Sequence, residues 1–391
     1  MRIIFVMRSV IGLEGLGRVM TEKANYLAGR GHEVMLVTYE QGRHPMGFTL
    51  KKEVAHIDLN SRYFTIYRHG LFYRWLAAWR IRRQFESALQ KIICAYEPDV
   101  MVVPTNIAEY SNAIIKIGRQ VPVVVESHTS YRYDMMIGGL YKRLKNMLHK
   151  QSFSHASLIV TLTHGDAVYW QKDCRNVVTI PNPLTFFPNP LPAMVKDPFR
   201  IISVGRLQRQ KRFDRLIDAF AMIADKYPQW HVDIFGDGEE KAVLNMQIER
   251  CGLAGRVTLN APVGDIAAEY MRSQFLVLSS DFEGFGLVMT EAMACALPVV
   301  ATNCPYGPSD IVDDGQNGLL ADLTAADLSS KMAAMMADRA MRESMGRKAR
   351  QTAMRYNADV VMAQWESAYA SQCRSRKADS GGTGGEEEAK E

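Results

Sequence analysis

Short apolar runs recur along nearly the whole chain, and segments with helical periodicity separate them. Runs of this length bounded by turns are typical of strands buried on both faces of a parallel sheet. The pattern predicts strands at residues 3–7, 34–38, 100–103, 121–126, 158–162 and 177–180, and then at 200–204, 231–235, 257–259, 275–278 and 298–301. Helices are predicted up to residue 30 and at 212–226, 239–251, 325–337 and 357–371. The fold class is therefore α/β, with doubly wound, Rossmann-like parallel sheets.

A proline-rich stretch interrupts this alternation near the middle of the chain. Prolines stand at positions 181, 183, 188, 190 and 192, so neither a helix nor a central strand can pass through. We predict a first domain at 1–185, a linker at 186–198, a second domain at 199–355, a helix at 356–372 that returns to the first domain, and a disordered tail at 373–391. Two such domains would face each other across a cleft, with ligands at the carboxyl ends of the strands.

Composition predicts a cytoplasmic enzyme with an uneven charge distribution. The six cysteines are scattered without a C-x-x-C pair, which is typical of reduced thiols and not of a disulfide framework or a zinc site. The sequence shows neither a signal-peptide pattern nor an apolar run of membrane-spanning length. Residues 1–195 hold 24 Lys and Arg against 14 Asp and Glu, while the remainder holds 23 against 28. The basic first half favours an anionic partner, such as a membrane surface, a lipid pyrophosphate or nucleic acid.

Two glutamates stand on either side of a predicted helix start. Glu283 lies in a glycine-containing loop after the strand 275–278, and Glu291 lies inside the helix that follows. The start of that helix offers N–H groups to an anion, and these belong to Phe285, Gly286 and Leu287. Carboxylates that accept from hydroxyls, next to amides that bind phosphate, predict a site for a sugar linked to a diphosphate. An ordinary helix start is the alternative, since acidic residues also complement the helix dipole.

This segment resembles the glutamate-x7-glutamate motif of the retaining GT-B glycosyltransferases, specifically family 4 (glycosyl transferases group 1) of the bacterial surface-polysaccharide type. Gly205, Arg206 and Lys211 follow that family's G-R-L-x-x-x-K pattern. The resemblance covers most of residues 1–372 and is strongest from 203 to 320. It implies that Arg206 and Lys211 bind the donor diphosphate, where a solvated basic loop is the alternative. It also implies that Glu283 binds hydroxyls of the transferred sugar and Glu291 accepts from the ribose.

The resemblance assigns further residues of the second domain. The turn at Gly236 and Asp237 would lie beside the nucleoside and Val263 would touch the base, although a plain tight turn explains the glycine nearly as well. Two positions depart from the family pattern: Ala296 replaces a glycine, and Asp310 replaces the more usual glutamate. We expect the alanine to tighten a turn without removing chemistry.

In the first domain, the resemblance points to a glycine loop and a histidine. Gly15 and Gly17 stand where the family has its G-G-x-x-R loop near the donor phosphate, with a different order of glycines. His128 follows a predicted strand, where several family members place a histidine near the reaction centre; a structural histidine is the alternative. Arg132 and Asp134 would line the acceptor pocket.

A dehydrogenase is a rival interpretation of the same loop. The order G-x-x-G-x-G from Gly12 does not match the dinucleotide fingerprint G-x-G-x-x-G, although Glu40 could act as a ribose-binding acid. A GT-B-fold sugar-nucleotide epimerase would share the nucleotide site but would release free sugar nucleotide without an acceptor. A non-catalytic scaffold should lack one of the four residues Glu283, Glu291, Arg206 and Lys211, and all four are present.

Residues 62–91 mix aromatic and cationic side chains. A helix with Trp75, Trp79, Arg82 and Arg83 on adjoining turns could lie on an anionic membrane surface, together with the basic residues at 142–145. A solvated helix whose aromatic side chains pack into the domain is the alternative. We expect no nucleic-acid partner, because no recognisable reading module is present.

The expected activity is transfer of a hexose-type sugar from a nucleoside-diphosphate sugar, with UDP favoured and GDP as the alternative. The acceptor would be a saccharide hydroxyl, in particular on a polyprenyl-diphosphate-linked saccharide at the cytoplasmic face of the inner membrane. The resemblance implies retention of configuration, with the leaving phosphate helping to deprotonate the acceptor. Positive charge from Arg206, Lys211 and the helix end would replace a metal. No D-x-D motif is present, so neither a metal nor a cofactor is expected.

Overall fold

Two parallel sheets form the centres of two units of the chain. The computed structural model describes residues 1–11, 15–68, 70–128, 144, 147–148, 151–192 and 194–381. Unit 1 comprises Met1–Leu162, Asp166–Ile180 and Met362–Glu391, and unit 2 comprises Thr163–Gly165 and Pro181–Val361. The change of unit after Ile180 falls at the first of the prolines that predict a linker. The predicted domain bounds themselves stay predictions.

Unit 1 is built on a seven-stranded sheet in the order β3-β2-β1-β4-β5-β6-β7. Its strands are β1 (Arg2–Met7), β2 (Glu33–Thr38), β3 (Val54–Asp58), β4 (Val100–Pro104), β5 (Val123–Ser127), β6 (Leu158–Thr161) and β7 (Val177–Thr179). Its helices include α1 (Gly15–Gly29), α2 (Leu71–Tyr96), α3 (Ser111–Ile117) and most of α4 (His164–Trp170). The strand order reverses between β1 and β4, the kind of position at which open α/β sheets bind ligands.

Unit 2 repeats this topology with a six-stranded sheet in the order β10-β9-β8-β11-β12-β13. Its strands are β8 (Arg200–Val204), β9 (His231–Phe235), β10 (Val257–Asn260), β11 (Phe275–Leu278), β12 (Val299–Thr302) and β13 (Gly318–Ala321). Its helices include α5 (Phe213–Ala221), α6 (Lys241–Arg250), α7 (Ile266–Met271), α8 (Leu287–Ala294), α9 (Pro308–Ile311), α10 (Ala325–Ala337) and α11 (Arg339–Ala353). The last helix, α12 (Ala358–Gly381), belongs to unit 1 from Met362 onwards. Here the order reverses between β8 and β11.

The central strands are buried on both faces. Consecutive residues of β1 from Ile3 to Val6 are all fully buried, although their side chains point alternately to opposite faces. The residues of β11 and β12 are buried in the same way. Helices therefore cover both faces of each sheet, and the predicted fold class, two doubly wound parallel-sheet domains, is confirmed.

The differences from the predicted elements have local causes. Strand β3 lies at the sheet edge with three exposed residues in sequence, so it lacks the apolar run of a buried strand. Strand β13 has only four residues and begins with a glycine. Helix α12 continues past residue 373, where a tail was predicted, because residues 374–380 contain neither glycine nor proline to end it.

Several predicted residues lie outside the described part of the chain: Gly12, Arg132, Asp134, Lys142, Arg143, Lys145 and residues 382–391 of the predicted tail. Over the part that the structure describes, no helix combines the length and apolar character needed to cross a membrane.

Candidate active site

Glu283 accepts two hydrogen bonds at the carboxyl end of β11. Lys211 donates to its Oε1 with an Nζ–Oε1 distance of 2.8 Å, and Ser280 Oγ donates to the same oxygen at 2.6 Å. The side chains of Lys211 and Glu283 are 17% and 7% exposed. Because both bonds reach Oε1, Oε2 is the oxygen that a ligand hydroxyl would reach. The structure therefore brings two of the predicted catalytic residues into direct contact.

Two loops after neighbouring strands hold this pair together. Lys211 ends a 3-10 turn, Arg209–Lys211, in the loop after β8, and Glu283 lies in the loop after β11. The N–H of Asp281 donates to the carbonyl of Gln210 at 3.0 Å, and Gln210 Nε2 donates to the carbonyl of Phe282 at 2.8 Å. These bonds fix the position of Glu283 relative to Lys211 through the backbone.

Two arginines support the same loop from the side of α5. Arg212 Nη1 lies 3.1 Å from Asp281 Oδ2, and Arg215 donates to Asp281 Oδ1. Hydrogen bonding to Asp214, reinforced by Asp281, raises the pKa of the Arg212 guanidinium above its ordinary value. Arg212 is thus held by carboxylates of the protein and stabilises the loop that carries Glu283.

Glu291 is buried inside α8 and contacts two hydroxyl groups. Tyr270 donates to its Oε2 at 3.3 Å, and Thr185 Oγ1 donates to its Oε1 at 3.3 Å. The residue is 4% exposed. An ionised carboxylate accepts hydrogen bonds, which is the property that binding of a ribose hydroxyl requires.

The start of α8 depends on Gly286. This residue precedes the helix with φ +90°, and a Cβ there would lie 2.5 Å from Met289 Cε, so a side chain would be both strained and crowded. Leu287 is the first helical residue. The ring of Phe285 is buried against Tyr356 with ring centroids 5.5 Å apart, so only its backbone can contribute to ligand binding.

Gly205 and Gly236 allow two strand-end loops to touch through their backbones. A Cβ on Gly236 would lie 1.9 Å from the carbonyl oxygen of Gly205, and a Cβ on Gly205 would lie 3.3 Å from Lys211 Cε. Arg206, which follows Gly205, is exposed. Asp237 and Val263 are also at the surface, with exposed fractions of 70% for the Asp237 side chain and 39% for Val263. Their assignment to the nucleoside stays a prediction.

In unit 1, the predicted residues lie after strands of the sheet. Gly15 and Gly17 lie in the first turn of α1, which follows β1. His128 directly follows β5, and its Nε2 lies 2.8 Å from Glu126 Oε2. Glu40 accepts from Arg8 Nε at 2.6 Å and from the N–H of Tyr63 at 2.9 Å. These bonds explain Glu40 as a structural acid and remove the main support for a dinucleotide site.

The two departures from the family pattern are accommodated locally. Ala296 has φ +56° and follows α8, where its N–H donates to the carbonyl of Met293 and the N–H of Leu297 donates to that of Ala292. These bonds form a Schellman motif with alanine at the usual glycine position. Asp310 Oδ2 accepts from the N–H of His164 at 2.6 Å.

Several residues of the site have no signature in the sequence. Ser280 stands three positions before Glu283, so its contact with Glu283 is local in the sequence. Tyr270 and Thr185 are 21 and 106 positions from Glu291, so only the fold reveals them. The same holds for Glu126 and its partner Lys23, which are 103 positions apart.

Comparison with known proteins identifies the family. Residues 13–185 match the model of Glycosyltransferase Family 4, and residues 192–352 match that of Glycosyl transferases group 1. An uncharacterized glycosyltransferase of Haemophilus influenzae is 26% identical, with 81% of this chain and 85% of the relative covered. The amylovoran biosynthesis glycosyltransferase AmsD of Erwinia amylovora is 29% identical, with 54% of this chain and 61% of the relative covered.

Solved structures agree on the fold. Anabaena HepE, whose structure contains UDP and glucose, matches with a TM-score of 0.73 and 19% identity, covering 95% of this chain and 100% of HepE. The parallel sheets of both units, the two matched family models and these relatives lead to one conclusion. The chain belongs to the GT-B glycosyltransferases.

Proposed function

We propose that the protein transfers a hexose-type sugar from a nucleoside-diphosphate sugar to a hydroxyl of a saccharide acceptor, with retention of anomeric configuration. The observation that carries the proposal is the set of hydrogen bonds from Lys211 and Ser280 to Glu283. Glu291 lies on α8, the helix that begins just after Glu283 in the sequence. Glu283 would bind hydroxyls of the sugar and Glu291 those of the ribose. HepE, which has the same fold, is bound to UDP and glucose, and this favours UDP over GDP as the donor nucleotide.

Positive charge would stabilise the departing nucleoside diphosphate. An ammonium group has three N–H donors, so Lys211 can bind Glu283 and a diphosphate oxygen together. Arg206 is exposed beside Gly205 and would take a second phosphate oxygen. The N–H groups at the start of α8, from Phe285 to Leu287, would add a positive helix end. Such fixed charges stabilise the transition state without a metal ion, and the proposal includes neither a metal nor a cofactor.

Unit 1 would receive the acceptor. Gly15 and Gly17 would approach the donor phosphate, and His128 would bind a hydroxyl of the transferred sugar. Because residues 1–195 carry an excess of basic side chains, we infer that the acceptor saccharide is linked to a lipid diphosphate.

Helix α2 would bring the enzyme to the cytoplasmic face of the inner membrane, where such a lipid resides. Tyr73, Trp75 and Trp79 are 65%, 74% and 50% exposed, so these aromatic rings do not pack into the interior of unit 1. Arg80 and Arg83 are exposed on the same helix. Exposed aromatic side chains next to arginines are the combination that binds an anionic bilayer surface.

Ligand-induced stabilisation and product analysis test the activity. We expect UDP or a UDP-hexose to raise the melting temperature by mass action, and NAD(H) to have no effect. Glu291→Ala should reduce the shift, while Glu343→Gln, on the surface of α11, should retain it. With a saccharide acceptor, NMR of the product should show the anomeric configuration of the donor. Stabilisation by NAD(H) alone, or release of free epimerised sugar nucleotide, would overturn the proposal.

Vesicle binding tests the membrane contact. We expect the protein to sediment with vesicles of phosphatidylglycerol and phosphatidylcholine but not with phosphatidylcholine alone. The double variant W75A/W79A should lose most of this binding, and added salt should weaken it. A matched double variant at exposed apolar residues of unit 2, V243A/M246A, should bind as the parent does. Equal binding by W75A/W79A would contradict a role for α2.

A further inference from the structure

Unit 1 contains a buried ion pair that the proposed donor chemistry does not use. Lys23 Nζ on α1 lies 2.6 Å from Glu126 Oε1 on β5, and both side chains are fully buried. Burying two charges is costly unless their remaining hydrogen-bonding groups are also satisfied. We therefore expect further donors, acceptors or aromatic faces around Lys23 and Glu126.

The last helix supplies part of that environment. Tyr369 donates from its hydroxyl to Glu126 Oε1 at 3.1 Å, and Lys23 Nζ lies 3.0 Å from the ring centroid of Trp365. Both aromatic residues are fully buried. The ammonium thus faces a carboxylate and an aromatic face, a favourable combination for a desolvated cation.

The electrostatics keep Glu126 ionised. Burial alone would raise the pKa of Glu126, but Lys23 and the ring of His128 lower the pKa to about 2. Burial lowers the pKa of Lys23 to about 8, although Glu126 opposes this change. Burial also raises the pKa of Tyr369 well above its ordinary value, so its hydroxyl keeps its proton and donates it.

The second oxygen of Glu126 faces His128. Its Oε2 lies 2.8 Å from Nε2 of the ring, and the His128 side chain is 8% exposed. An ionised carboxylate only accepts hydrogen bonds, so Nε2 must carry a proton. The partner of one ring nitrogen decides which tautomer a histidine adopts, and Nδ1 is then the nitrogen left for a ligand.

We propose that Glu126 is a positioning residue: it holds His128 through Nε2–H, so that Nδ1 is the ring nitrogen presented to a sugar hydroxyl. The inference rests on the proposed function, which places His128 at the transferred sugar. It adds a selectivity rule: when Nε2 carries the only N–H of the ring, Nδ1 accepts a hydrogen bond from a hydroxyl but offers none to a phosphate or carbonyl oxygen. Lys23, Tyr369 and Trp365 act through Glu126.

NMR of the imidazole nitrogens tests the inference without reference to activity. In protein labelled with ¹⁵N-histidine, two-bond ¹H–¹⁵N correlations distinguish the protonated nitrogen from the unprotonated one. The signal of His128 is identified by its loss in His128→Gln. We expect the Nε2–H tautomer at a pH where the ring is neutral. A ring protonated at Nδ1, or an even mixture of tautomers, would overturn the inference.

A triple variant separates positioning from stability. K23M/E126L/Y369F replaces the buried polar groups together, and replacing a whole buried pair by apolar residues is usually close to neutral for stability. We expect it to fold, to lose the preference for Nε2–H, and to show kcat lowered about 10- to 100-fold with little change in the donor KM. Y369F alone leaves the bond between Glu126 and His128 intact and should keep the tautomer and most of the turnover.

The remaining outcomes are also decisive. Wild-type kcat in the folded triple variant would reduce Glu126 to a structural residue and overturn the inference. Wild-type turnover in His128→Gln would do the same, because His128 would then lie outside the site. If the Nε2–H tautomer is found and no sugar nucleotide is turned over by the wild type, the proposed function fails while the arrangement of Glu126 and His128 is supported.

Discussion

Each unit contains one lysine–glutamate pair described above, and the two pairs differ in how completely the protein encloses them. Lys23 and Glu126 are 2.6 Å apart and fully buried, beneath Trp365 and Tyr369. Lys211 and Glu283 are 2.8 Å apart but remain 17% and 7% exposed. A fully buried pair cannot reach a ligand, whereas a pair that remains partly accessible can share its donors and acceptors with one. Enclosure therefore distinguishes an ion pair that organises the fold from one that can take part in binding.

The largest expected effect comes from breaking the enclosed pair. Lys23→Met leaves the charge of Glu126 buried without its ammonium partner, and we expect the free energy of unfolding to fall by about 3–5 kcal/mol. Lys211→Met should cost far less, because Glu283 retains the bond from Ser280 and reaches solvent. Urea denaturation measures both, with the exposed Lys226→Met as a control. Equal losses at Lys23 and Lys211 would contradict the comparison.

For catalytic activity we expect the larger losses at Lys211 and Glu283, the pair whose substitution costs less stability. Glu283→Gln and Lys211→Met should each lower kcat by about 100- to 1000-fold, because they remove groups that bind the sugar and the charged leaving group. The melting temperature should stay close to that of the wild type. Glu343→Gln, which changes an exposed glutamate of α11, should leave turnover unchanged. Wild-type turnover in either site variant, with an intact fold, would remove that residue from the proposed site.

The dependence of the free energy of unfolding on pH tests the contribution of the buried pair directly. The pKa of Glu126 in the folded state is about 2, below the ordinary value of 4.5, so its ionised form contributes stability above about pH 4.5 that is lost as the pH falls towards 2. We expect K23M/E126L/Y369F to lose less stability than the wild type over this window, as measured by urea denaturation at fixed pH values. Parallel pH profiles would show that Glu126 carries no such contribution.

The smallest expected effect concerns the end of α8, the helix that carries Glu291. Ala296 adopts φ +56°, which costs an alanine more than a glycine. Because glycine also loses more entropy on folding, Ala296→Gly should raise the free energy of unfolding by only about 0.5–1 kcal/mol. Chemical denaturation detects a change of this size, and Ala337→Gly, at the last position of α10, should lower stability. A loss of stability in Ala296→Gly would mean that the alanine methyl group packs favourably.

Local sequence patterns predicted the pair of Lys211 and Glu283 as site residues, but they did not predict the pair of Lys23 and Glu126. Glu283, Glu291 and Lys211 stand in short segments next to strands, and the resemblance assigns them together. The enclosed pair joins residues 103 positions apart, and its aromatic cover comes from the last helix, so no window of sequence contains it. Strand β3 was missed for a related reason, since an edge strand with exposed residues lacks the apolar pattern of the central strands.

Trp365 and Tyr369 follow unit 2 along the chain, and this order has a consequence for synthesis. Lys23 and Glu126 are made before residues 181–361 of unit 2, while the residues that cover them follow only after that unit. The amino-terminal sheet must therefore wait for the carboxyl-terminal helix before its interior is complete. A nascent chain stalled anywhere within residues 181–361 would carry an unfinished first unit, because the segment that closes its interior is not yet made.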